Sequence, residues 1–569
     1  MKGLSIADRV AFAISPARAV ARVIQRIRMN QALDVEANAS ATGVRQSETR
    51  WRGASRTLRS MAGWRTNAGS ARTDLTRAER ETLYSRSHDA YRNHMIGRAA
   101  VTRVRTNVVG TGVQMHADVN AKALGITEDA AAELNEVINS EFKLYYDNPA
   151  EVDIEGCLDG AGLQSLALVN AMLGGDCWAL TPFREMHGGI YGLKVQLIDA
   201  ARVSNNNLQF DTEFLQDGVE LTREGAQLAV WIRNRHPADK LVIAEGDKWQ
   251  RYDVYGPSGA RRIMQIFNEK DRIGMTRAPP FLAPILEPLQ TLEQYTRAEL
   301  MAAVVAGLFT VFIKKPLQQF DDKGNAINAL AGATNNAKGT AADITLGNGL
   351  VVDLGPGEEA SDSKPGRPNN NFDPFFMSIV RQIGAALEIP VDELLLSYQS
   401  SYSAARAAML QAWRFYSMRR WWLVQQFCQP HYQLWFDEAV ARGRIKVTDY
   451  ADPKRRKAYQ NAVWIGPARG AMQEKDEVEA AAARVNSGFS AESIETAQIM
   501  GEDWNSIYLL RKRERERRRK DGMELGPAPG QASAPAGARG SGPQEPPPGG
   551  PPRPGAAPDD DDADETEEA

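Results

Sequence analysis

Two long helical patterns enclose a polar stretch in the middle of this chain. The first, LQTLEQYTRAELMAAVVAGLFTVFI, follows Pro288, which suits a first helical turn because its missing N–H has no partner there. The second, FDPFFMSIVRQIGAALEIP, has Asp373 as its predicted N-cap and Pro374 at the first helical position, and the Ile389–Pro390 bond ends it. Residues 316–370 between them are rich in Gly, Asn and Asp. The pattern predicts two helices of comparable length, able to return antiparallel, that flank an exposed excursion.

Helical and alternating patterns mix in the region before these helices. TRVRTNVVGTGVQMHAD is typical of a strand, a turn and a second strand. ITEDAAAELNEVINSEFKLYYDN predicts a helix, and AGLQSLALVNAMLGGDCWALTPF predicts a helix that ends at Gly174–Gly175 before a strand. From 190 to 270, short β-rich runs alternate with turns. Residues 86–280 are therefore predicted to form a mixed α+β lobe.

The C-terminal half is dominated by helical patterns that are rich in aromatic residues. SAARAAMLQAWRFYSMRRWWLVQQFCQPHYQLWFDEAVARGR predicts a long helix that Pro430 kinks or divides. Its four tryptophans are more than one helix needs for its own core: Trp413, Trp421, Trp422 and Trp435. Such aromatics more often form a core or a subunit interface than a platform for stacked bases. We predict a subunit-interface or core role for all four.

The composition is that of a soluble multidomain protein, but its charge is unevenly distributed. The 569 residues are 43% hydrophobic and 25% charged, with a net charge of −4. Residues 1–80 hold 15 Lys or Arg against 6 Asp or Glu, whereas the last eleven residues hold eight acids and no base. We predict a basic flexible arm over 1–85 and a disordered Pro/Gly-rich acidic tail over 526–569. The segment RKRERERRRKDG can bind nucleic acid, but its interleaved acids favour a solvated helix face.

The sequence offers no recognisable catalytic or metal motif. A phosphate-binding GxxxxGK[ST] loop, an HExxH helix, a GxSxG elbow and paired CxxC ligands are all missing from it, and its six histidines are dispersed. Three scattered cysteines fit a reducing compartment, and no apolar run reaches the roughly 20 residues of a membrane span. We therefore predict no catalytic residue, no metal, no cofactor and no membrane association.

The stretch EIPVDELLLSYQSSYSAARAAM, residues 388–409, directly follows the second long helix. Its serines have no histidine near them in the sequence, so loop and cap roles are favoured over a nucleophilic role. Ser403, before AARAAM, is the predicted N-cap of the next helix.

This stretch also carries a family resemblance. The block from the second helix through IPVDELLLSYQSSYSAARAAMLQAWRFYSMRRWWLV resembles the lambda-type family of tailed-phage portal proteins. The shared elements are an Ile-Gly-x-x-x-Glu-Ile-Pro-x-x-x-Leu approach, a Tyr-Ser-x-x-Arg motif at Tyr402, Ser403 and Arg406, and a helix rich in Trp and Arg. Upstream, VQLIDAARVSN and GMTRAPPFLAPILEPLQTLEQYTRAEL also look like this family. The resemblance covers roughly 90–470 and excludes the arm and the acidic tail.

The resemblance implies an α+β portal fold and a ring, usually of twelve subunits, at one capsid vertex around a channel for double-stranded DNA. The implied partners are further copies of the chain, the terminase large subunit, a head-completion adaptor, and the major capsid and scaffold proteins. It implies a virion protein that is assembled in the host cytoplasm. The implied segments are a wing at 86–281, stem helices at 282–313 and 371–389, a clip at 314–370, a tunnel loop at 390–403, a wing helix and return segment at 404–454, and a helical crown at 455–525.

The tunnel loop is the segment for which the resemblance implies contact with DNA. Its candidate channel residues are Val391, Asp392, Glu393, Leu394, Leu395, Leu396, Ser397, Tyr398 and Gln399. From Glu388 to Ala405 the chain carries no positive charge, which suits a conduit because phosphate binding is electrostatic and would hold DNA in place. Arg406, near a helix start, opposes the helix dipole, so we expect a carboxylate partner, for which a neighbouring subunit is one source. Lys314 and Lys315 either contact phosphates or cap the first stem helix.

Two other functions remain compatible with the sequence. One is a different head–tail connector or adaptor ring, and the other is a nucleic-acid-processing enzyme with a dispersed site. The absence of a catalytic motif makes the enzyme the weaker alternative.

Overall fold

The computed structural model describes residues 69–239, 248–308, 312–313, 352–353, 371–398, 401–470 and 473–523. Helices and short strands are mixed along the chain, which confirms the predicted α+β class. The chain divides into two compact units, each assembled from separate stretches. The first unit contains the described parts of Met1–Arg98, Ala167–Leu180 and Leu197–Ile379, and the second contains those of Ala99–Leu166, Thr181–Gln196 and Val380–Ala569.

The helices alternate with strands in the N-terminal half and follow one another in the C-terminal half. The α-helices are α1 Ala71–Asp74, α2 Arg77–Asn93, α3 Met95–Val108, α4 Ala121–Leu124, α5 Glu128–Tyr146, α6 Pro149–Val152, α7 Gly160–Gly174, α8 Leu286–Leu308, α9 Phe372–Leu387, α10 Val391–Leu395, α11 Tyr402–Leu423, α12 Gln429–Ala441, α13 Pro453–Tyr459, α14 Glu474–Asn486, α15 Glu492–Ile499 and α16 Trp504–Lys520. The strands are β1 Gln114–Ala117, β2 Asp176–Leu180, β3 Gln196–Asp199, β4 Leu215–Gln216, β5 Val219–Leu221, β6 Gln227–Arg233, β7 Trp249–Asp253, β8 Ile263–Phe267, β9 Phe312–Ile313, β10 Val352–Asp353 and β11 Ala462–Ile465.

Two small sheets form the core of the first unit. One has the order β3-β2-β8 and the other the antiparallel order β4-β5-β6-β7. Every residue of β2, DCWAL, is buried, as expected for a central strand with both faces covered. Gly175, which precedes β2, has a φ of 88°, and a Cβ there would collide with the carbonyl oxygen of Ala278. Only glycine fits this position, so the predicted helix end at Gly174–Gly175 also allows the close approach of two backbone segments.

A buried network of charges holds these sheets and helix α2 together. Arg277 donates from Nη2 to Oδ1 of Asp176 at 2.7 Å and to the carbonyl oxygen of Ala200 at 3.0 Å. Its Nη1 donates to the carbonyl oxygens of Val203 and Asp217 at 3.2 and 3.0 Å. Arg80, from α2, pairs with the Asp217 carboxylate. Although burial works to raise the pKa of Asp217, the Arg277 and Arg80 charges hold it below its ordinary value.

The second unit is built around a cluster of aromatic side chains from α5, α12 and β11. Phe142 meets Trp435 edge-on at 4.9 Å between ring centroids, and Tyr432 at 5.4 Å. The hydroxyl of Tyr145 lies 2.8 Å from Nε2 of His431, and burial lowers the pKa of His431 to about 3, so this ring is neutral at ordinary pH. Strand β1 pairs antiparallel with β11 beside this cluster. Segments far apart in sequence thus share one core.

Several sequence predictions about element boundaries are confirmed. Helices α8 and α9 occur in the predicted regions, and Tyr295 of α8 stacks on Phe372 of α9 at 5.5 Å. The first pattern predicts a helix as far as Ile313, however, and this end is wrong, because Phe312–Ile313 is strand β9. The long aromatic helix is divided, because α11 ends at Leu423, a π-helical turn spans Val424–Cys428, and Pro430 lies in the first turn of α12. In the described part of the chain, no helix is both long and apolar enough to cross a bilayer.

Further local predictions are wrong. The flexible arm predicted over 1–85 ends earlier, because helix α2 begins at Arg77 with a capping box and buries Arg80. TRVRTNVV is the end of helix α3 instead of a strand, because its apolar residues Val101, Val104 and Val108 recur at helical spacing and are buried. Helix α9 begins before Asp373, since the Phe375 N–H donates to the carbonyl oxygen of Asn371. Asp373 is therefore the second residue of the helix and not its N-cap, and Pro374 is the third residue and not the first. Ser401, not Ser403, precedes the first residue of α11.

The charge network makes a stability prediction. Arg277→Met removes the shared cation and leaves Asp176 and Asp217 buried with less compensation, so the free energy of unfolding should fall by about 3–5 kcal/mol. Urea denaturation measures this. The matched control is Arg251→Ala, which breaks a partly exposed pair with Glu220 and should cost less than about 1 kcal/mol. Equal losses in the two variants would contradict the structural role of Arg277.

Candidate functional site

A chain reversal directly after α9 positions the candidate channel segment. The N–H of Ile389 donates to the carbonyl oxygen of Gly384 at 3.0 Å, and that of Glu388 to Ala385 at 3.4 Å. Glu388 between them is left-handed, with a φ of 58°. These two bonds and this conformation form a Schellman motif, in which the last carbonyls of a helix accept from the residues that leave it. The motif turns the chain into Pro390 and the short helix α10.

Helix α10 is a second reversal within a few residues. The N–H of Leu394 donates to the carbonyl oxygen of Pro390 at 2.9 Å, and that of Ser397 to Asp392 at 3.0 Å. Leu396 ends the helix with a φ of 53°, a conformation that a leucine rarely adopts. Two non-glycine residues in the left-handed region, Glu388 and Leu396, therefore bracket the segment. Such strain persists only where surrounding contacts fix the backbone.

The segment has an anchored face and an exposed face. Leu394 is 2% exposed, and the Glu393 carboxylate accepts from Nδ2 of Asn107 at 2.7 Å. Leu396 and Tyr398 are 56% and 57% exposed. The sequence-based list of channel residues is thus too broad, because Leu394 packs inside its own chain. Gln399 lies outside the described residues.

The exposed face carries no positive charge. Burial raises the pKa of Glu393, while its hydrogen bond from Asn107 and the Arg103 charge work in the opposite direction. Glu393 therefore points its carboxylate into the protein and adds little to the field at the exposed face. Of the two predicted acids, only Asp392 remains to face that side, and it is half-buried.

The family-motif residues lie in the first turns of α11. Tyr402 and Ser403 are exposed, and Arg406 is half-buried. In the residues that the structure describes, no carboxylate pairs with Arg406, so its predicted partner is not found within this chain's described part. Lys314 and Lys315 lie outside the described residues.

The four tryptophans fall into different environments. Trp435 is fully buried in the aromatic core, while Trp421 is 60% exposed. The guanidinium of Arg420 lies 5.0 Å from the Trp413 ring centroid, and that of Arg419 lies 4.8 Å from the Trp422 ring centroid. Only Trp435 is established as a core residue. An interface role for Trp421 stays a prediction.

Sequence reasoning missed two residues that hold the site in place. Arg420 donates to the carbonyl oxygens of Val108, Asn107 and Pro467 at 3.0, 2.8 and 3.1 Å, and Asn107 in turn holds Glu393. Asn107 and Val108 are about 300 residues from Arg420 and Glu393 along the chain, and Pro467 is 47 residues from Arg420, so no local pattern indicates these contacts. No group of His, Cys, Asp and Glu within the described ranges has the arrangement of a metal site.

Comparison with known proteins gives the family. Residues 57–420 match the model of the lambda family of phage portal proteins, and the chain belongs to this family. It is 23% identical to Portal protein B of Escherichia phage lambda over 480 residues, which cover 81% of this chain and 88% of that protein. It is 24% identical to the portal protein of Escherichia phage N15, again over 81% of this chain and 88% of that protein.

Solved structures show weaker likeness. A chain from the virion of a native gene transfer agent particle has 12% identity and a TM-score of 0.35, covering 74% of this chain and 92% of its own length. A chain from the neck of that particle, computed with C12 symmetry, has 12% identity and a TM-score of 0.34, with coverage of 75% and 92%.

The reversal after α9 makes a prediction about Gly384. A glycine-to-alanine change inside a helix normally stabilises it by about 1 kcal/mol. A Cβ on Gly384, however, would lie 2.7 Å from the carbonyl oxygen of Ile389, which the Schellman motif holds in place. Gly384→Ala should therefore lower the free energy of unfolding by about 1–3 kcal/mol and displace α10.

Urea denaturation and amide hydrogen exchange at 389–396 measure these two effects. The matched control is Ala385→Gly at the neighbouring exposed position, which reports helix propensity without a contact. A Gly384→Ala protein more stable than the parent would disprove the packing argument.

Proposed function

We propose that this chain forms a ring of twelve copies at one capsid vertex and conducts double-stranded DNA during packaging and ejection. The match of 364 consecutive residues, 57–420, to the portal family carries this proposal. In its favour, the matched range includes both long helices and the segment whose exposed face has no positive charge. The role is structural and not catalytic.

The proposed channel contact is the predicted tunnel loop, 390–403, through the exposed side chains of Leu396 and Tyr398. DNA affinity comes mainly from cations that neutralise phosphates, and each contact adds a salt-dependent term. A conduit with lysines or arginines at its narrowest part would hold DNA in deep electrostatic wells. Leucine and tyrosine give close contact without such wells, while Leu394 and Glu393 anchor the segment from its other side. The motif residue Arg406 is proposed to pair with a carboxylate of a neighbouring copy.

For the other segments we propose the parts that the portal fold has. Residues 86–281 and 404–454 form the wing, 282–313 and 371–389 the stem, 314–370 the clip and 455–525 the crown. The clip is the proposed docking surface for the terminase large subunit and later for a head-completion adaptor. The wing is proposed to meet the major capsid and scaffold proteins during assembly in the host cytoplasm. The short parallel pairing of β9 with β10, on either side of 314–351, supports a clip that returns to the stem.

Electron microscopy of the purified protein tests the ring. We expect ring-shaped particles with a central channel, and we expect deletion of 320–366 to abolish terminase binding while rings persist. A chain that stays monomeric at every salt concentration and with capsid proteins present would overturn the proposal. Rings that bind no terminase, with or without 320–366, would indicate a different head–tail connector.

The lack of positive charge on this face makes a second prediction for the assembled ring. Leu396→Lys with Tyr398→Lys places two cations per copy on the exposed face, so DNA translocation should slow several-fold, and most strongly at low salt. The control, Leu396→Gln with Tyr398→Gln, removes the same side chains without adding charge and should translocate normally. Leu394 is left unchanged because a buried lysine there would disturb the fold.

An in vitro packaging assay over a range of salt concentrations measures the rates, and microscopy confirms that both variants form rings. If the lysine ring packages DNA as fast as the glutamine ring at low salt, this segment does not contact DNA.

A further inference from the structure

Helix α16 at the end of the described chain concentrates positive charge on the surface. Its N-cap is Asp503, whose Oδ2 accepts from the N–H of Ser506 at 2.9 Å, and the helix runs for 17 residues from Trp504 to Lys520. Residues 511–520 contain eight Lys or Arg and two Glu, and all ten are exposed. No residue of the helix is buried. Its basic half is therefore not held by packing against the rest of the unit.

The basic residues of 511–520 are almost without partners. Within the described chain the closest ion pair there joins Arg518 to Glu514 at 3.7 Å, and both side chains are about half exposed. Elsewhere in the same unit arginines pair tightly: Arg444 lies 2.6 Å from Glu141, and Arg484 lies 2.5 Å from Glu495. The helix thus differs from its surroundings, because apart from Arg518 its cations in 511–520 have no ion pair with a described carboxylate.

The cations of this helix repel one another. Like charges four residues apart on a helix disfavour it by about 0.2–0.5 kcal/mol a pair, and Arg511, Arg515 and Arg519 form such a row. The helix dipole favours cations only in the last turn, at 517–520. An anionic segment laid along this face would relieve the repulsion along its whole length.

The chain contains a matching anion. Residues 559–568 hold eight Asp or Glu and no base, whereas 521–558 hold three acids and two arginines among many Pro, Gly and Ala. About 40 residues join Lys520 to Asp559, and their extended reach of more than about 100 Å exceeds the helix length of roughly 25 Å. Because this linker ties the acidic segment to α16, the effective concentration of the segment at the helix is in the millimolar range. A free polyanion of equal affinity would need a higher concentration to displace it.

We propose that the acidic segment Asp559–Glu568 docks on the exposed basic face of helix α16. The two parts have opposite charge, similar density of charge and a tether that allows them to meet. The attraction is between exposed groups, so salt should weaken it. At 1 M salt the Debye length is about 3 Å, which is shorter than the separation of most of these charges. This inference does not depend on the proposed channel function.

Zero-length cross-linking tests the docking on the full-length protein. A water-soluble carbodiimide condenses a carboxylate with an amine and takes up the released water as a urea. The amines of 511–520 are those of Lys512 and Lys520, so mass spectrometry should find them joined to Asp or Glu of 559–568. Lys454 and Lys457 provide an internal control, because they are exposed in another basic helix, α13.

The expected result is at least a tenfold excess of tail cross-links at Lys512 and Lys520 over Lys454 and Lys457 at low salt, with loss of that excess at 1 M salt. A matched variant replaces Arg513, Arg515, Arg517 and Arg519 with Gln and keeps both lysines, and circular dichroism checks its helix content. Cross-linking at Lys512 and Lys520 should drop several-fold in this variant. Equal cross-linking at the two pairs of lysines, or none at α16, would overturn the proposal.

The alternative occupant of this face is nucleic acid, and a second measurement separates it from the tail. A variant with the eight acids of 559–568 replaced by Asn or Gln is compared with the parent for binding to a 30-base-pair duplex by fluorescence anisotropy at low salt. If the tail covers α16, the amide variant should bind the duplex at least several-fold more tightly than the parent. Equal affinities would show that the tail does not occupy the face.

Discussion

The close approach of Gly384 to the carbonyl oxygen of Ile389 fixes the direction of the chain at the candidate channel segment. It allows the Schellman motif at the end of α9, which sends the backbone through left-handed Glu388 into Pro390 and α10. Leu394 then packs inside the protein and Leu396 faces out, because a one-turn helix puts neighbouring residues on different faces. The direction of the segment thus follows from this reversal, with its hydrogen bonds and its left-handed Glu388.

The second constraint is how the protein distributes its charges. Inside the first unit, Arg277 donates to the Asp176 carboxylate and to three carbonyl oxygens, and Arg80 pairs with the Asp217 carboxylate, which makes their burial tolerable. In the second unit, Arg420 is held by three carbonyl oxygens, and Glu393 by Asn107. The face of 390–398 has no cation because the sequence carries no Lys or Arg between Glu388 and Ala405. If this face meets DNA, as proposed, it would allow close contact with weak binding, since the electrostatic part of DNA affinity requires cations at the surface.

The helices and many of their ends could be predicted from the sequence because they depend on neighbours in the chain. Gly175 and the Ile389–Pro390 bond end or redirect segments by local backbone geometry, and α8 and α9 follow from their apolar residues and prolines. The errors also have local causes. TRVRTNVV is compatible with either a strand or a helix in isolation, and burial of Val101, Val104 and Val108 against distant segments decides for the helix. Ser401 and Ser403 are equally good caps by residue type.

The sequence by itself determined the α+β class, the portal family, the division of the aromatic helix near Pro430 and the lack of positive charge between Glu388 and Ala405. Only the tertiary structure decided which residues of that stretch are exposed, which tryptophan is core, and which distant groups hold the site: Asn107 for Glu393, and Arg420 for the backbone around it. The physical reason is the distance along the chain over which each kind of interaction acts. Helix propensity, caps and charge composition act within a few residues, whereas burial and the pairing of buried polar groups depend on contacts between segments hundreds of residues apart.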